Sequence, residues 1–418
     1  MSKRAAVLLA TLVLAAACRS GERETFVTYF NGDRQVSVRY PAEWRTDEAE
    51  QEGIWYRYFL APPAAPENKA AVSVTLLAGP LSVPLEEYAA SYLAGNEAAS
   101  PTMDFMRFVS LLPSATELLC AAGGRDLLVG RSHECDVPSG LDGVPVLTGQ
   151  RTFGIEAGGD SRSIDESVRA ALGDGLSLYV LDEARLRALA PDVILTQDLC
   201  AVCSIDLGTV RRIAASMTPE PTIVSLDPVS IEDVLEDLLR IGDAIGRGAV
   251  AQDAVVGLRD AYWTAVDYVA PYTDGPEVAF LEWMDPLFVG GHWTPQLIEA
   301  AGGRHRLNPG GVHSRQVTPE ELVESQPDRM VICPCGLNLE AIQQELPRVM
   351  ESSWWGALPA VADGRVALVD GNLMFNRPGP RLVEAFRWLV GWINDRPEVI
   401  PEGFPVVELR EELADPSG

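Results

Sequence analysis

From Phe105 onward the chain alternates short apolar runs with helix-like segments, and this alternation is its strongest constraint on fold. Phe108–Leu112, Leu127–Val129, Val193–Thr196 and Thr222–Leu226 read as short apolar strands. Strands separated by helices must pair in parallel, with the helices covering the faces of the sheet. Ser114, followed by Glu117 at the third position, reads as a capping box opening a helix after the first strand. Ser230 to about Val269 then reads as one long helix, with Ile231, Val234, Leu238, Ile241 and Ile245 on a single stripe. Alternation resumes with Val278–Leu281, Met330–Cys333 and Val366–Val369. The expected class is α/β: two parallel-sheet lobes, 104–228 and 273–418, joined by a long backbone helix at 229–272.

A small α+β domain precedes the lobes. Alternation in Arg34–Tyr40 predicts a strand, Trp55–Leu60 a second and Ala71–Leu77 a third, before a helical stretch at Leu85–Leu93. Polar residues Gly95–Thr102 then make a linker, so this domain and its linker occupy 18–103. Residues 1–17 carry Lys3 and Arg4, an apolar run, and small residues before Cys18, the order of an export signal. At Ala5–Ala17 that run is shorter than the roughly 20 residues needed to span a bilayer. The 418 residues carry 33 basic against 60 acidic side chains, a net charge of -27 that disfavours nucleic acid and anionic lipid as general surface partners.

Several motifs carry a family resemblance. Leu14-Ala15-Ala16-Ala17-Cys18 resembles a lipobox, which implies lipidation of Cys18 and a membrane anchor. Val38-Arg39-Tyr40-Pro41-Ala42-Glu43-Trp44 resembles the start of PsbP-like domains. Phe108 through Glu117, Val129-Gly130-Arg131-Ser132-His133-Glu134-Cys135-Asp136-Val137-Pro138 and Ala190-Pro191-Asp192-Val193-Ile194-Leu195-Thr196 follow in order. The last is echoed by Ser325-Gln326-Pro327-Asp328-Arg329-Met330-Val331. Together they resemble the helical-backbone substrate-binding proteins of cobalamin and iron-siderophore ABC importers. Glu282-Trp283 through Gly291-His292-Trp293-Thr294-Pro295, with Ala300-Ala301-Gly302-Gly303, is most similar to the cobalamin-binding branch. The resemblance implies a non-enzymatic, extracytoplasmic receptor that passes a small metal chelate to permease subunits. It also implies one docking glutamate per lobe, Glu183 and Glu320, with Glu321 as the alternative to the latter.

Ligands of open α/β sheets sit at the carboxyl ends of strands. That rule selects Ser114, the loop with His133 and Glu134, Gln197, the stretch from Trp283 to His292 and Trp293, and the loop with Asn372, Phe375 and Arg377. A corrinoid needs aromatic walls, here Trp283, Trp293 and Phe375, and polar edges, here His133, Gln197, His292 and Arg377. An anionic siderophore calls for arginines, and Arg131 and Arg377 are the candidates; haem is the remaining chelate alternative. Cys135, Cys200, Cys203, Cys333 and Cys335 lie in the same loops, as disulfide braces or as thiolate metal ligands, which keeps open a redox or metal protein built on Cys200, Cys203 and His133. No Walker A, H-E-x-x-H or G-x-S-x-G pattern supports catalysis.

Overall fold

The computed structural model describes the backbone of six strands between residues 7 and 77, and residues 106–151, 159–173, 177–198, 205–270 and 274–409. The chain divides into two compact units, Met1–Asp104 and Phe105–Gly418.

In the first unit β1 (Val7–Leu12), β2 (Phe26–Asn31), β3 (Val36–Pro41), β4 (Arg45–Gln51), β5 (Ile54–Leu60) and β6 (Ala71–Leu77) form an antiparallel sheet ordered β1-β6-β5-β4 and a separate β2-β3 pair. The three expected strands are β3, β5 and β6. The apolar stretch read as an export signal supplies β1, with Val7 opposite Leu77. Cys18 and the helical reading of Leu85–Leu93 lie outside the described residues.

The second unit opens with a lobe built from β7 (Phe108–Ser110), α1 (Pro113–Ala121), β8 (Leu128–Arg131), β9 (Thr148–Gln150), α2 (Ser161–Gly173), β10 (Tyr179–Leu181), α3 (Glu183–Leu189), β11 (Val193–Thr196), α4 (Leu207–Ala214) and β12 (Thr222–Ser225). Its sheet runs β12-β11-β7-β8, parallel throughout, with β9 and β10 paired antiparallel beside it. The capping box expected at Ser114 is absent. Pro113 opens α1, Leu112 takes the cap position without a side-chain bond, and Ser114 lies buried in the first turn. The Glu117 carboxylate is drawn away from the helix end by two arginines of the other lobe.

The single long helix expected over 230–269 is two helices, α5 (Ile231–Ala244) and α6 (Gly248–Val266). Gly246, with φ of 69°, ends the first by adopting the left-handed conformation that glycine takes without strain. The apolar stripe continues through Ile245, so periodicity alone does not reveal the break. A Cβ at Gly242 would come within 2.2 Å of the Ala251 Cβ, so glycine here lets the two helices pack closely. At 1.5 Å per residue, the 19 residues of α6 span about 28 Å.

The second lobe contains β13 (Val278–Met284), β14 (Leu287–Val289), α7 (Thr294–Ala300), β15 (Arg315–Gln316), α8 (Pro319–Glu324), β16 (Arg329–Ile332), α9 (Leu339–Met350), α10 (Pro359–Ala362), β17 (Val366–Val369), α11 (Leu382–Ile393) and β18 (Val406–Leu409). Its sheet, β15-β14-β13-β16-β17-β18, is parallel at β13, β16 and β17 and antiparallel at both edges. One apolar core runs through both lobes, from Phe108, Leu118 and Leu238 to Val278, Phe280 and Trp388. Separate clusters back the far face of each sheet, around Ile194 in the first lobe and Met330 in the second. The lobes are thus joined by a buried layer as well as by covalent connection.

Candidate functional site

The carboxyl ends of β8 and β17 bring a charged group together across the lobe boundary. Arg377 donates to Asp136 at 2.5 and 3.2 Å and to Asn372 Oδ1 at 3.0 Å, while Asn372 Nδ2 donates to Asp136 at 3.3 Å. Arg377 is also 3.6 Å from Glu117, which Arg381 engages with two nitrogens at 3.0 and 3.1 Å. Burial opposes ionisation of both Arg377 and Asp136. The pairing outweighs it, raising the guanidinium and holding the Asp136 carboxyl below its ordinary range. Arg377 is therefore committed to a cross-lobe network, where the sequence suggested a ligand-edge group. Arg131 is committed too, donating to the carbonyls of Val144 and Cys135 and shaping the loop after β8.

In that loop His133 is half-buried. Its Nδ1 lies 2.8 Å from Thr148 Oγ1, which also accepts from the His133 amide and meets Ser132 Oγ at 2.8 Å. Tyr179 donates to Glu134 at 3.1 Å, and its ring is 5.8 Å from the imidazole. Thr148 and Tyr179 come from β9 and β10, short strands that carried no sequence signal. Gln197 is buried at the end of β11.

A second set of contacts joins the lobes through the start of α2. The Ser161 amide donates to both Glu345 oxygens at 3.0 and 3.2 Å, and its hydroxyl donates at 2.7 Å, so a carboxylate from one lobe caps a helix of the other. Arg348 pairs with Asp160, Arg162 with Asp285 at 2.9 Å, and Arg169 donates to Gln316 at 3.1 Å. Trp283 Nε1 donates to the Ser161 carbonyl at 3.2 Å. Of the three expected aromatic walls, Trp283 alone lies at this boundary. Trp293 and Phe375 are core: the indole donates to the Phe375 carbonyl at 2.7 Å, and the Phe375 ring packs on Phe280 and Trp388. Both follow the carboxyl end of a predicted strand, which is why they read as walls.

His292 is half-buried beside His313, with ring centroids 5.0 Å apart. Burial lowers the His292 pKa, and the neighbouring imidazole lowers it further. Cys135, Cys333 and Cys335 are free thiols, so neither a disulfide brace nor a cluster joins them. Burial pushes Cys135 up to about 11 despite a hydrogen bond from Thr116, and complete burial raises Cys333 well above the usual thiol range. Both are protonated at neutral pH and unsuited to thiolate chemistry. Cys200 and Cys203 lie outside the described residues. No group of three or more His, Cys, Asp or Glu placed to hold a metal occurs among the described residues.

Of the docking candidates, Glu183 opens α3 and pairs with Arg187 at 2.5 Å. Glu321 closes a capping box with Thr318 and bonds Arg315, whereas Glu320 is exposed in the same first turn. A cavity of about 560 Å³ lies away from all of these residues, at the start of the second lobe between Asp267, Asp274, Gly302 and Arg396.

No family model matches the chain. The vitamin B12-binding protein of Photorhabdus laumondii subsp. laumondii is 25% identical over 294 residues, covering 69% of this chain and 88% of that protein. The periplasmic vitamin B12-binding protein BtuF of Vibrio cholerae superposes with a TM-score of 0.51 at 18% identity, over 70% of this chain and 98% of that one. A periplasmic haem-binding protein from Pseudomonas aeruginosa gives 0.53 at 20%, over 73% and 98%. The chain has the two-lobe fold of the periplasmic substrate-binding proteins, the family its motifs resemble.

Proposed function

We propose that this protein is the extracytoplasmic substrate-binding component of an ABC importer, anchored through a lipid on Cys18, and that it captures a cobalamin-type corrinoid between its lobes. The observation that carries the reading is the 294-residue relationship to a vitamin B12-binding protein. The meeting of loops from both lobes at Asp136, Asn372 and Arg377, with Trp283 reaching Ser161 across the same boundary, supports it. Cleavage before Cys18 would remove β1 and leave β6 at the edge of its sheet. Glu183 and Glu320, in the first turns of helices in opposite lobes, would meet the permease.

Haem is the second reading, favoured by the His133–Tyr179 pair. Either the imidazole positioned through Thr148 or the phenol positioned through Glu134 is a suitable axial donor to iron from one face of the ring. A panel of cobalamin, cobinamide, haemin and a ferric siderophore, read by thermal shift and absorbance, tests both. A shift with corrinoids alone supports the first reading, and a haemin response lost in Tyr179→Phe supports the second. No shift with any chelate would overturn the receptor reading.

A further inference from the structure

Two of the four histidines in the chain, His292 and His313, meet outside the network that joins the lobes. The loops that carry them are built for close contact. The His292 amide donates to the Val312 carbonyl at 2.5 Å, and the Gly311 amide returns a bond to the His292 carbonyl at 2.8 Å. Asn308 Nδ2 donates to the carbonyls of Gly290 and His313 at 3.1 and 3.0 Å, pinning both loops to one side chain. A Cβ at Gly291 would fall 2.3 Å from the Ser314 amide, so only glycine permits the approach. His292 itself has φ of 52°, a left-handed conformation that costs a non-glycine residue energy and is held by the surrounding bonds.

We propose that His292 and His313 together bind a hydrated divalent transition-metal ion. The two rings are perpendicular, with centroids 5.0 Å apart. A ring nitrogen lies about 1.2 Å from its centroid and binds zinc-like metals at about 2.0–2.1 Å, which places the ion about 3.2 Å from each centroid. Two imidazoles meeting one ion at about 90–110° then have centroids about 4.5–5.2 Å apart, and the observed separation falls inside that range. No third His, Cys, Asp or Glu joins the pair among the described residues, so the remaining positions belong to water or an incoming ligand. This geometry also selects the source of the metal. A corrin or porphyrin fills the four equatorial positions and leaves only opposed axial sites, whereas these imidazoles approach from adjacent directions. The pair therefore suits a hydrated ion and not the centre of a macrocycle, and the inference stands independently of which chelate the lobes bind.

Cobalt(II) titrated into the full chain tests it, followed by calorimetry and visible absorbance. The expected result is one equivalent bound without thiolate charge-transfer absorption, and binding unchanged in Cys335→Ser. His313→Gln and His292→Asn, which keeps a residue tolerant of the left-handed conformation, should each weaken binding by more than about tenfold. Because His313 is exposed, its variant should retain the wild-type melting temperature, which separates ligand loss from unfolding. Unchanged cobalt affinity in both variants would show that the rings merely stack edge to face, and a thiolate band would place the ion on cysteine; either overturns the proposal. Haemin or cobinamide binding that depends on both histidines, with cobalt binding unaffected, would also overturn it.

Discussion

Arg381 grips Glu117 across the lobe boundary with two parallel bonds, Nε to Oε2 at 3.0 Å and Nη2 to Oε1 at 3.1 Å. Glu117 is only 5% exposed and also faces Arg377, so two cations depend on one buried carboxylate. Removing it leaves both guanidinium groups without that charge. Glu117→Ala should lower unfolding stability by about 3–5 kcal/mol, measured by denaturant titration. Adding Arg381→Leu should recover part of that loss, since the second change removes a charge the first left unpaired. Strictly additive losses would contradict the coupling.

Asp237 on α5 gives a pH signature of opposite sign to an ordinary paired carboxylate. Burial raises its pKa from 3.8 to about 6, and Arg240 at 2.7 Å offsets only part of that. The folded state therefore holds this proton between about pH 6 and 4 while the unfolded chain has released it. This group's contribution to stability rises as pH falls from 7 through 6 and levels off near 4. Asp237→Asn should remove that component and stabilise the protein at pH 7 by up to about 3 kcal/mol. Denaturation midpoints that show the same pH slope in wild type and variant would refute it.

Thiol reactivity should follow burial. Cys335 is exposed, whereas Cys135 and Cys333 are buried and held protonated. In native protein, alkylation followed by peptide mass spectrometry should find Cys335 labelled ahead of Cys135 and Cys333, which are labelled only on unfolding. Rapid native labelling of Cys333 would mean that the loop after β16 opens readily.

Much of the fold is legible in the sequence because buried parallel strands leave short apolar runs that few other structures produce. Val193–Thr196 and Val366–Val369 match their predicted strands residue for residue. The site is less legible. Glu117 reads as a helix cap because its partners, Arg377 and Arg381, lie more than 250 residues away, and no local pattern encodes a cross-lobe ion pair. Trp293 and Phe375 read as cleft walls because an aromatic at a strand end suits both a ligand and a core; only packing around Phe280 separates the two. His313 carried no signal, since its partner His292 is reached through a separate loop.

The contacts of α2 with the second lobe should govern access to the interlobe surface. Arg162–Asp285 and Arg348–Asp160 are largely solvent-exposed pairs, which contribute about 0–1 kcal/mol each, whereas the Glu117 network is buried. If the lobes part on ligand entry, these exposed pairs are the ones expected to break first. Arg162→Ala with Arg348→Ala should shift stability by less than about 2 kcal/mol and speed chelate association in stopped-flow measurements. An unchanged association rate would show that ligand does not enter past α2.

Docking to the permease should depend on charges remote from any chelate. Glu320 is exposed in the first turn of α8, while its neighbour Glu321 is consumed by the capping box and Arg315, so Glu320 is the side chain left to reach a partner. Glu183 is equally placed on α3, although it must first release Arg187, an exposed i,i+4 pair contributing about 0.3–0.5 kcal/mol. Neither carboxylate touches the residues at the lobe boundary. Rim charges act on partner association, so Glu183→Lys with Glu320→Lys should abolish uptake in reconstituted transport while leaving chelate affinity and melting temperature unchanged. Glu321→Lys should behave differently, costing about 1 kcal/mol through loss of the cap without abolishing transport. Uptake that survives the double reversal would remove both glutamates from the docking surface.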